Sequence, residues 1–422
     1  MAAAAVAALG VAGLASAGTA ATSGGDSTGV TDKEIKLGFI ASTTGVAGST
    51  FKNSTKGFDA CVGAQNAKGG VNGRKITYEF YDDGAITNLQ GVQDLVQNRG
   101  VFAVVNDSSF AFQGYQFLLD NGVPMVGGGF DGPEYGLPGN EDLISLTGNA
   151  APIYGVSYTG LTNLLHDKLK AKKMGVLAYK VSASSTAAAE NLQKYAVPEA
   201  GMKAAYTNTS LDFGTTDVGP QVLAMKEAGV DAVYLPLVAS SNFAVLQTAA
   251  QNNLKFKAAI LATGYGQDLL DQPVAATLGP EVLLASGWKP VELKDAATKQ
   301  FQNDLAKYGD WPKDQVPDFG IYTGYLTCKL TMAGLEAAGK DLTRQGFIDA
   351  TKALGEWDGA GLTCQPVRLG LDTYGTAAPT QCGYYLQVKD GKFVPYNNGK
   401  PISGKLIQAT TKATTTTAPA GS

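Results

Sequence analysis

Short apolar runs alternate with helical patterns along the first third of the chain. Four runs have the length and composition of buried strands, at residues 35–40, 76–81, 101–105 and 123–126. Between them apolar residues recur at helical spacing, for example at Phe51, Phe58 and Cys61. This alternation predicts a parallel sheet covered by helices on both faces.

The same pattern begins again after a Gly/Ala/Pro junction at residues 148–152. Four further strands are predicted at 174–179, 231–235, 258–261 and 282–285. The strand that follows Gly100 leads to a Ser-Ser-Phe-Ala run, and the strand that follows Gly229 leads to Ser-Ser-Asn-Phe-Ala. We interpret this as two lobes of similar build that face each other, with a chance match as the alternative.

The last third must return to both sheets. Helices are predicted at 296–308, 319–338 and 344–354, followed by a hairpin of strands 383–388 and 392–396 around Asp390-Gly391. Three crossings between lobes are therefore expected near Gly148, Ala285 and Asp358. The predicted organisation is a leader at 1–30, a first lobe at 31–149 plus 286–358, a second lobe at 150–285 plus 359–404, and a disordered Thr-rich tail at 405–422.

Composition excludes several classes of function. With 33 basic and 37 acidic residues the net charge is −4, and no dense Lys/Arg run is present, so a nucleic-acid partner is not expected. The only histidine, His166, rules out histidine triads and multi-histidine metal sites, and we expect it to be a surface or packed residue.

A glycine motif gives one hint of a cofactor. Residues 127–132 match Gly-x-Gly-x-x-Gly, but Pro133 follows and a helix cannot open cleanly there. We therefore expect no dinucleotide and no other cofactor, and interpret the glycines as allowing a ligand or the hinge to approach the backbone.

The amino terminus favours export. Residues 2–17 resemble the apolar region of a signal peptide, with Ala15-Ser16-Ala17 as a cleavage site, although a basic region is missing and a disordered leader is the alternative. An extracytoplasmic location is expected. Because the first cysteine is Cys61, we expect no lipid anchor within this chain.

The four cysteines lie far apart and form no Cys-x-x-Cys pair, which argues against zinc and thioredoxin-like chemistry. We favour a disulfide between Cys364 and Cys382, which flank a Gly/Pro/Thr-rich loop, and by elimination one between Cys61 and Cys328. Buried free thiols are the alternative.

Hydroxyl groups cluster after four predicted strands. Ligands of open parallel sheets bind beyond the carboxyl ends of the strands, where helix amides point outward. The clusters contain Ser42 and Thr43, Ser108 and Ser109, Ser184, and Ser240. The alternative for each is a helix cap worth about 1 kcal/mol. The aromatic residues near the same edge form a pocket wall or belong to the core: Phe110, Phe130, Tyr265 and Trp288.

One segment carries a family resemblance. Residues 65–76, Gln-Asn-Ala-Lys-Gly-Gly-Val-Asn-Gly-Arg-Lys-Ile, followed by Tyr-Asp-Asp-Gly at 81–84, resemble the junction of the first helix and second strand in the branched-chain amino-acid binding protein family. The order of elements agrees over residues 32–401. The resemblance implies a type I periplasmic-binding fold that serves an ABC importer.

The resemblance also implies ligand contacts. Ser108, Ser109, Phe130 and Asp131 match the first-lobe positions, whereas the family's tyrosines align near Ser184 and residues 238–239, and its acid aligns at Thr263. Loss of those aromatic and acidic groups puts leucine-like ligands in doubt, although Asp131 could pair with an ammonium group.

The expected function follows from these features. The expected protein is a non-enzymatic, monomeric α/β protein of two Rossmann-like lobes joined by a three-segment hinge. It captures a small polar solute, amino-acid-like, amide or aromatic, and delivers it to an ABC permease. A ligand-sensing module that signals to a receptor is the alternative. The expected ligand-binding residues are Ser42, Thr43, Ser108, Ser109, Phe130, Asp131, Ser184, Ser240, Thr263 and Tyr265.

Overall fold

The computed structural model describes residues 25–108, 112–128, 133–137, 139–147, 156–369 and 382–408. The strands are β1 Glu34–Ala41, β2 Lys75–Asp82, β3 Ala103–Asp107, β4 Met125–Gly127, β5 Leu143–Ile144, β6 Val156–Tyr158, β7 Lys173–Tyr179, β8 Lys203–Leu211, β9 Ala232–Leu235, β10 Ala258–Leu261, β11 Val282–Ser286, β12 Glu356–Trp357, β13 Val367–Arg368, β14 Cys382–Lys389, β15 Lys392–Pro395, β16 Ile402–Ser403 and β17 Leu406–Gln408. The α-helices are α1 Gly48–Phe51, α2 Ser54–Ala67, α3 Asn88–Gln93, α4 Tyr115–Asp120, α5 Gly160–Asn163, α6 Ala183–Asn191, α7 Val197–Glu199, α8 Gly219–Ala228, α9 Ala239–Gln251, α10 Gln267–Leu270, α11 Ala296–Tyr308, α12 Phe319–Ala338 and α13 Arg344–Ala353.

The first sheet has the strand order β2-β1-β3-β4-β5, and all its pairings are parallel. Strand β3 is buried at every position, because helices cover both faces of the sheet. Helices α2 and α12 pack against each other on one face, and α12 also contacts β3 and β4. We call this sheet, with α1–α4 and α11–α13, the first lobe.

The second sheet repeats the same strand order. Strands β8-β7-β9-β10-β11 are parallel and correspond in sequence to the order 2-1-3-4-5 of the first sheet. The hairpin β14-β15 then extends this sheet in the antiparallel direction, so the second sheet is mixed rather than purely parallel. We call this sheet, with β6, β16, β17 and α5–α10, the second lobe.

Strand β8 is the main element that the sequence pattern missed. Its burial alternates between exposed and partly buried positions, and only Leu211 is buried, because it lies at the sheet edge. An edge strand needs no continuous apolar run, so the criterion of short apolar runs does not detect it.

Both chain ends contain ordered residues that the sequence assigned to a leader or a tail. Asp26 forms an ion pair with Arg344, and its carbonyl accepts a hydrogen bond of 2.8 Å from the Arg344 amide. At the other end β17 pairs with β6 in antiparallel register. The predicted disordered tail therefore begins too early, because residues 406–408 complete a two-stranded sheet.

The late helices return to the first lobe through close helix contact. A Cβ placed on Gly57 of α2 would lie 2.0 Å from the carbonyl oxygen of Ile321, and one on Gly324 of α12 would lie 2.1 Å from that of Ser54. Glycine at these positions therefore lets the two helix backbones approach each other. Asp318 caps α12 by accepting a hydrogen bond of 3.0 Å from the Ile321 amide.

Both predicted disulfides are confirmed. Cys61 and Cys328 join α2 to α12 within the first lobe, with a Cα–Cα distance of 6.1 Å. Cys364 and Cys382 join the segment after β12 to β14. All four cysteines are thus paired, and the alternative of buried free thiols is wrong.

The segments that follow two of the expected crossings, near Ala285 and Asp358, pair with each other. The Lys289 amide donates a hydrogen bond of 2.6 Å to the Leu362 carbonyl, and Trp288 forms a β-bridge with Thr363. The third expected crossing, near Gly148, falls outside the described residues. No helix in the described part of the chain is long and apolar enough to cross a membrane.

Candidate functional site

The strand order locates the place where a ligand can bind. In an open sheet of order 2-1-3-4-5, neighbouring connections leave on opposite faces between the first and third strands, and a crevice opens beyond their carboxyl ends. In this chain those strands are β1 and β3 in the first lobe and β7 and β9 in the second lobe. The residues that follow these four strands form the candidate site.

In the first lobe a buried carboxylate organises the strand ends. Asp83, which is 1% exposed, accepts hydrogen bonds from the Ser42 hydroxyl at 2.7 Å, the Ala85 amide at 2.9 Å and the Asn88 carboxamide at 3.0 Å. These donors come from the segments after β1 and β2. The carboxylate therefore connects both segments. Its three hydrogen bonds offset the free-energy cost of burying its charge.

Asn88 extends this network to the end of β3. Its carboxamide nitrogen lies 3.4 Å from the Ser108 hydroxyl, and its oxygen accepts a hydrogen bond of 2.9 Å from the Gly114 amide. The Ser108 amide in turn donates to the Asn106 side chain at 3.0 Å. Ser108 is buried, and both its hydroxyl and its amide have hydrogen-bond partners, so these contacts fix its position.

A second buried acid lies one residue before Ser108. Asp107 is fully buried, and one of its carboxylate oxygens accepts a hydrogen bond of 3.0 Å from the Thr323 hydroxyl of α12. The other oxygen has no hydrogen-bond partner among the described residues. Burial raises the pKa of Asp107 well above its usual value, which favours the neutral acid.

In the second lobe a tyrosine ties the two central strand ends together. The Tyr179 hydroxyl donates to the Ser241 hydroxyl at 2.7 Å and accepts a hydrogen bond of 3.1 Å from the Val238 amide. Ser241 then donates to the Thr215 carbonyl at 2.6 Å. The start of α9 is thereby fixed to the end of β7.

The serine cluster after β7 both caps a helix and contacts its neighbour strand. Ser182 caps α6 by accepting a hydrogen bond of 3.1 Å from the Ser185 amide. The Ser185 hydroxyl donates to the Pro236 carbonyl at 2.7 Å, and the Ser184 hydroxyl lies 3.3 Å from that of Ser182. The capping alternative thus applies to Ser182, while Ser184 lies in the first turn of α6, partly exposed.

Thr263 and Asn242 form a small polar group after β10. The Thr263 hydroxyl and the Asn242 carboxamide both donate to the Leu237 carbonyl, at 2.7 and 3.1 Å. The Asn242 carboxamide oxygen is buried without a hydrogen-bond partner among the described residues. Thr263 is partly exposed, so its side chain lies at the edge of this group.

Tyr265 lies where the two lobes meet. Its hydroxyl donates to the Glu292 carboxylate at 2.7 Å and accepts a hydrogen bond of 3.1 Å from the Val291 amide. Burial raises the pKa of both Tyr265 and Glu292. Its ring centroid lies 6.2 Å from that of Tyr322, so Tyr265 packs second-lobe backbone against first-lobe α12.

Polar contacts next to Tyr265 also join the lobes. The ammonium of Lys52 in the first lobe lies 2.5 Å from the carboxylate of Asp268 on α10. The Gln267 amide donates to the Val316 carbonyl at 2.9 Å, and the Val316 amide donates to the Gln267 side chain at 3.2 Å. The lobes are therefore in contact around the start of α12.

The structure brings most of the described expected residues to these strand ends. Ser42 and Ser108 are buried, Thr43 is partly buried with its amide 3.0 Å from the Asp82 carboxylate, and Ser240 is exposed. The expected residues Ser109, Phe130 and Asp131 lie outside the described residues, as does Phe110.

Asn88 and Tyr179, which organise the two lobes, were missed because their partners are distant in sequence and no motif marks them.

The structure also describes His166 and part of the glycine motif that the sequence singled out. His166 is at the surface, with Nδ1 2.8 Å from the Asp167 carboxylate. After Gly127 and Gly128 the chain forms a short 3₁₀ turn at Pro133–Gly136 rather than an α-helix. A Cβ on Gly128, whose φ is +62°, would lie 2.4 Å from the Tyr135 hydroxyl, so close packing explains this glycine. No group of three or more potential ligand side chains in the described ranges could hold a metal ion.

Comparison with known proteins identifies the family. The periplasmic binding protein family matches residues 34–392, so the chain belongs to this family of solute-binding proteins, which are not enzymes. Leu/Ile/Val-binding protein homolog 7 of Brucella suis biovar 1 (strain 1330) is 29% identical over 263 residues, which cover 60% of this chain and 64% of that relative. The matched region thus spans less than two thirds of the relative.

Solved structures establish the type I periplasmic-binding fold. The fatty acid ABC transporter substrate-binding protein from Thermomonospora curvata has a TM-score of 0.69 and 22% identity, covering 91% of this chain and 95% of that chain. The branched-chain amino acid transporter substrate-binding protein LivJ from Streptococcus pneumoniae, in complex with isoleucine, has a TM-score of 0.66 and 19% identity, covering 89% and 100%. At such identities the likeness establishes the fold alone.

Proposed function

We propose that this chain is the extracytoplasmic solute-binding component of an ABC importer. It captures a small polar solute between its lobes and delivers it to membrane permease subunits. The observation that carries this proposal is the repeated strand order, with hydrogen-bonded polar side chains at the crevice position of both sheets. Family membership supports the extracytoplasmic location.

The proposed lobe boundaries are those expected from the sequence, with the first lobe at 31–149 plus 286–358 and the second at 150–285 plus 359–404, to which β17 adds residues 406–408. A solute that touches both lobes stabilises the closed arrangement, because only there does it gain both sets of contacts. The proposed ligand residues are the ten named above, including Ser109, Phe130 and Asp131. Export through a signal at residues 2–17 and a monomeric state remain part of this proposal.

The second lobe favours a solute that binds there through neutral hydrogen bonds rather than through an ion pair. The segments after β7, β9 and β10, residues 180–186, 236–242 and 262–267, contain hydroxyl and carboxamide side chains and one charged residue, Lys180. The Lys180 ammonium already lies 2.5 Å from the Asp212 carboxylate. These segments therefore offer neutral hydrogen-bond groups, and we propose a solute whose second-lobe end bears a hydroxyl, amide or carbonyl group.

Native purification followed by mass spectrometry tests the function directly. We expect one small solute to remain bound and to dissociate on unfolding. Calorimetry with that solute then tests the site, with Asp131→Asn and Ser184→Ala as variants and Ser210→Ala as the control. Ser210 is exposed on the edge strand β8, so its variant should bind normally.

We expect both site variants to weaken binding. Unchanged affinity in both would remove the proposed site, and a solute held by an ammonium group at the second lobe would remove the proposed chemistry. Copurification with a receptor or kinase instead of permease subunits would favour the sensing alternative.

A further inference from the structure

A cavity lies between helices of the first lobe and the segment 357–362, which contains the expected crossing near Asp358. It is separate from the strand-end residues described above. It has a volume of about 350 Å³ and is bordered by α2, α11, α12 and the segment 357–362. This volume is near the lower end of the range for small-molecule sites in proteins. At roughly 30 Å³ per water molecule it equals about a dozen waters, which is room for a small organic molecule.

Four apolar or aromatic residues form part of the inner wall of the cavity, and polar side chains complete its lining. Tyr325, Met332, Trp357 and Leu362 line it, and all four residues are buried. Tyr325 is held in place because its hydroxyl donates a hydrogen bond of 2.8 Å to the Asp304 carboxylate. The wall therefore presents a fixed surface that suits a flat apolar group.

Lys329 supplies a positive charge at this wall. Its ammonium nitrogen lies 5.9 Å from the centroid of the Tyr325 ring, and none of the hydrogen bonds or ion pairs among the described residues involves it. Two other lysines with largely buried side chains do form ion pairs. Lys289 and Lys352 each place the ammonium 2.8 Å from a carboxylate.

The charge of Lys329 is therefore sheltered but not neutralised by an adjacent anion. Burial lowers the pKa of Lys329, and the charge of Lys68 acts in the same direction, while the carboxylates of Asp304, Glu336 and Asp358 oppose it. Glu336 and Asp358 line the exposed rim, and the Glu336 carboxylate already accepts a hydrogen bond of 3.0 Å from Gln65. Two rim carboxylates disfavour an occupant with more than one negative charge.

We propose that this cavity is a second binding site, which takes a small monocarboxylate with an apolar or aromatic body. The carboxylate binds the Lys329 ammonium, and the body packs on Met332, Trp357 and Leu362. None of the residues that line this cavity is among the proposed ligand residues of the crevice between the lobes. A failure here would therefore leave the proposed transport function untouched.

Sodium phenylacetate is a suitable probe, with 2-phenylethanol and phenethylamine as its neutral and cationic counterparts. Titration calorimetry and ligand-observed NMR on the full chain would measure binding. We expect phenylacetate to bind the native protein more tightly than either counterpart. Stronger binding of phenethylamine, or no detectable binding of phenylacetate, would overturn the proposal.

Variants of Lys329 test whether its ammonium binds the carboxylate of phenylacetate. Lys329→Met keeps an apolar chain of similar length and should weaken phenylacetate binding by roughly tenfold or more, as expected for loss of a hydrogen bond to a charged group. Lys307→Met is the matched control, because Lys307 also lies over a tyrosine ring, at 5.0 Å from Tyr308, but outside the cavity.

A further pair of variants protects the test against misfolding. Lys329→Arg should retain binding, and Glu336→Gln should strengthen it because one repulsive charge at the rim is removed. Circular dichroism would confirm that each variant is folded. Equal affinity of the native protein and Lys329→Met, or equal losses in Lys329→Met and Lys307→Met, would contradict the proposed site.

Discussion

The two disulfides should stabilise the protein unequally, because they close loops of very different length. Cys61 and Cys328 are 267 residues apart, whereas Cys364 and Cys382 are 18 residues apart. In the chain-entropy description these loops correspond to about 5.6 and about 3.2 kcal/mol of stabilisation at 25 °C. Removing the long-loop disulfide should therefore cost about 2.4 kcal/mol more than removing the other one.

The comparison needs two double variants, Cys61→Ala with Cys328→Ala, and Cys364→Ala with Cys382→Ala. Double variants avoid a single leftover thiol that could form a wrong disulfide. Guanidinium unfolding followed by circular dichroism gives the free energy of unfolding of each variant relative to the native protein. Because Cys61 and Cys328 are both almost fully buried, lost packing acts in the same direction as the entropy.

An equal loss in the two double variants, or a larger loss for the short-loop pair, would refute the chain-entropy reasoning. A direct check of the pairing is alkylation of the unfolded, unreduced protein, which should modify no cysteine. Modification of all four would contradict both disulfides and would remove one argument for an oxidising, extracytoplasmic compartment.

Three further outcomes test individual residues. Because burial raises the folded-state pKa of Asp107, stability should fall as pH rises from the unfolded value of about 4 towards the folded pKa, and Asp107→Asn should flatten that fall in urea unfolding. An unchanged pH profile would refute this. Asn88→Ala leaves Asp83 and the Gly114 amide short of a partner, so unfolding should become easier by about 1–3 kcal/mol per group; a change below about 0.5 kcal/mol would contradict the network. Tyr179→Phe should weaken solute binding in calorimetry, because the start of α9 loses its hydrogen bonds to the end of β7. Unchanged affinity would show that these hydrogen bonds do not contribute to solute binding.

Much of the fold could be predicted from the sequence, because buried parallel strands carry continuous apolar runs. The predicted strand at 258–261 and the helices at 296–308 and 319–338 coincide with β10, α11 and α12. Strand β8 and the short strands β16 and β17 could not be predicted in this way, since their positions are partly exposed and lack an apolar period. Their pairing depends on partners that only the folded chain brings near.

The sequence indicated which strand ends carry polar side chains, but not how those side chains contact one another. Hydroxyl-rich segments after β1, β3, β7 and β9 indicated the crevice, because ligands of such sheets bind at strand ends. The network could not be predicted, since Tyr179 and Ser241 are 62 residues apart in sequence and Asn88 and Gly114 are 26 apart. Sequence also did not distinguish exposed Ser240 from buried Ser241.

Closure of the two lobes on a solute is the central claim, and a distance between the lobes tests it most directly. Ile86 follows β2 in the first lobe and is 74% exposed, and Val181 follows β7 in the second lobe and is 53% exposed. Both follow the carboxyl ends of strands, so spin labels at Ile86→Cys and Val181→Cys report across the crevice by pulsed electron resonance. Labels at Val181→Cys and Leu223→Cys, both in the second lobe, provide the control. We expect the bound solute to shorten the first distance and to leave the second unchanged, whereas identical distances between the lobes with and without saturating solute would contradict the account.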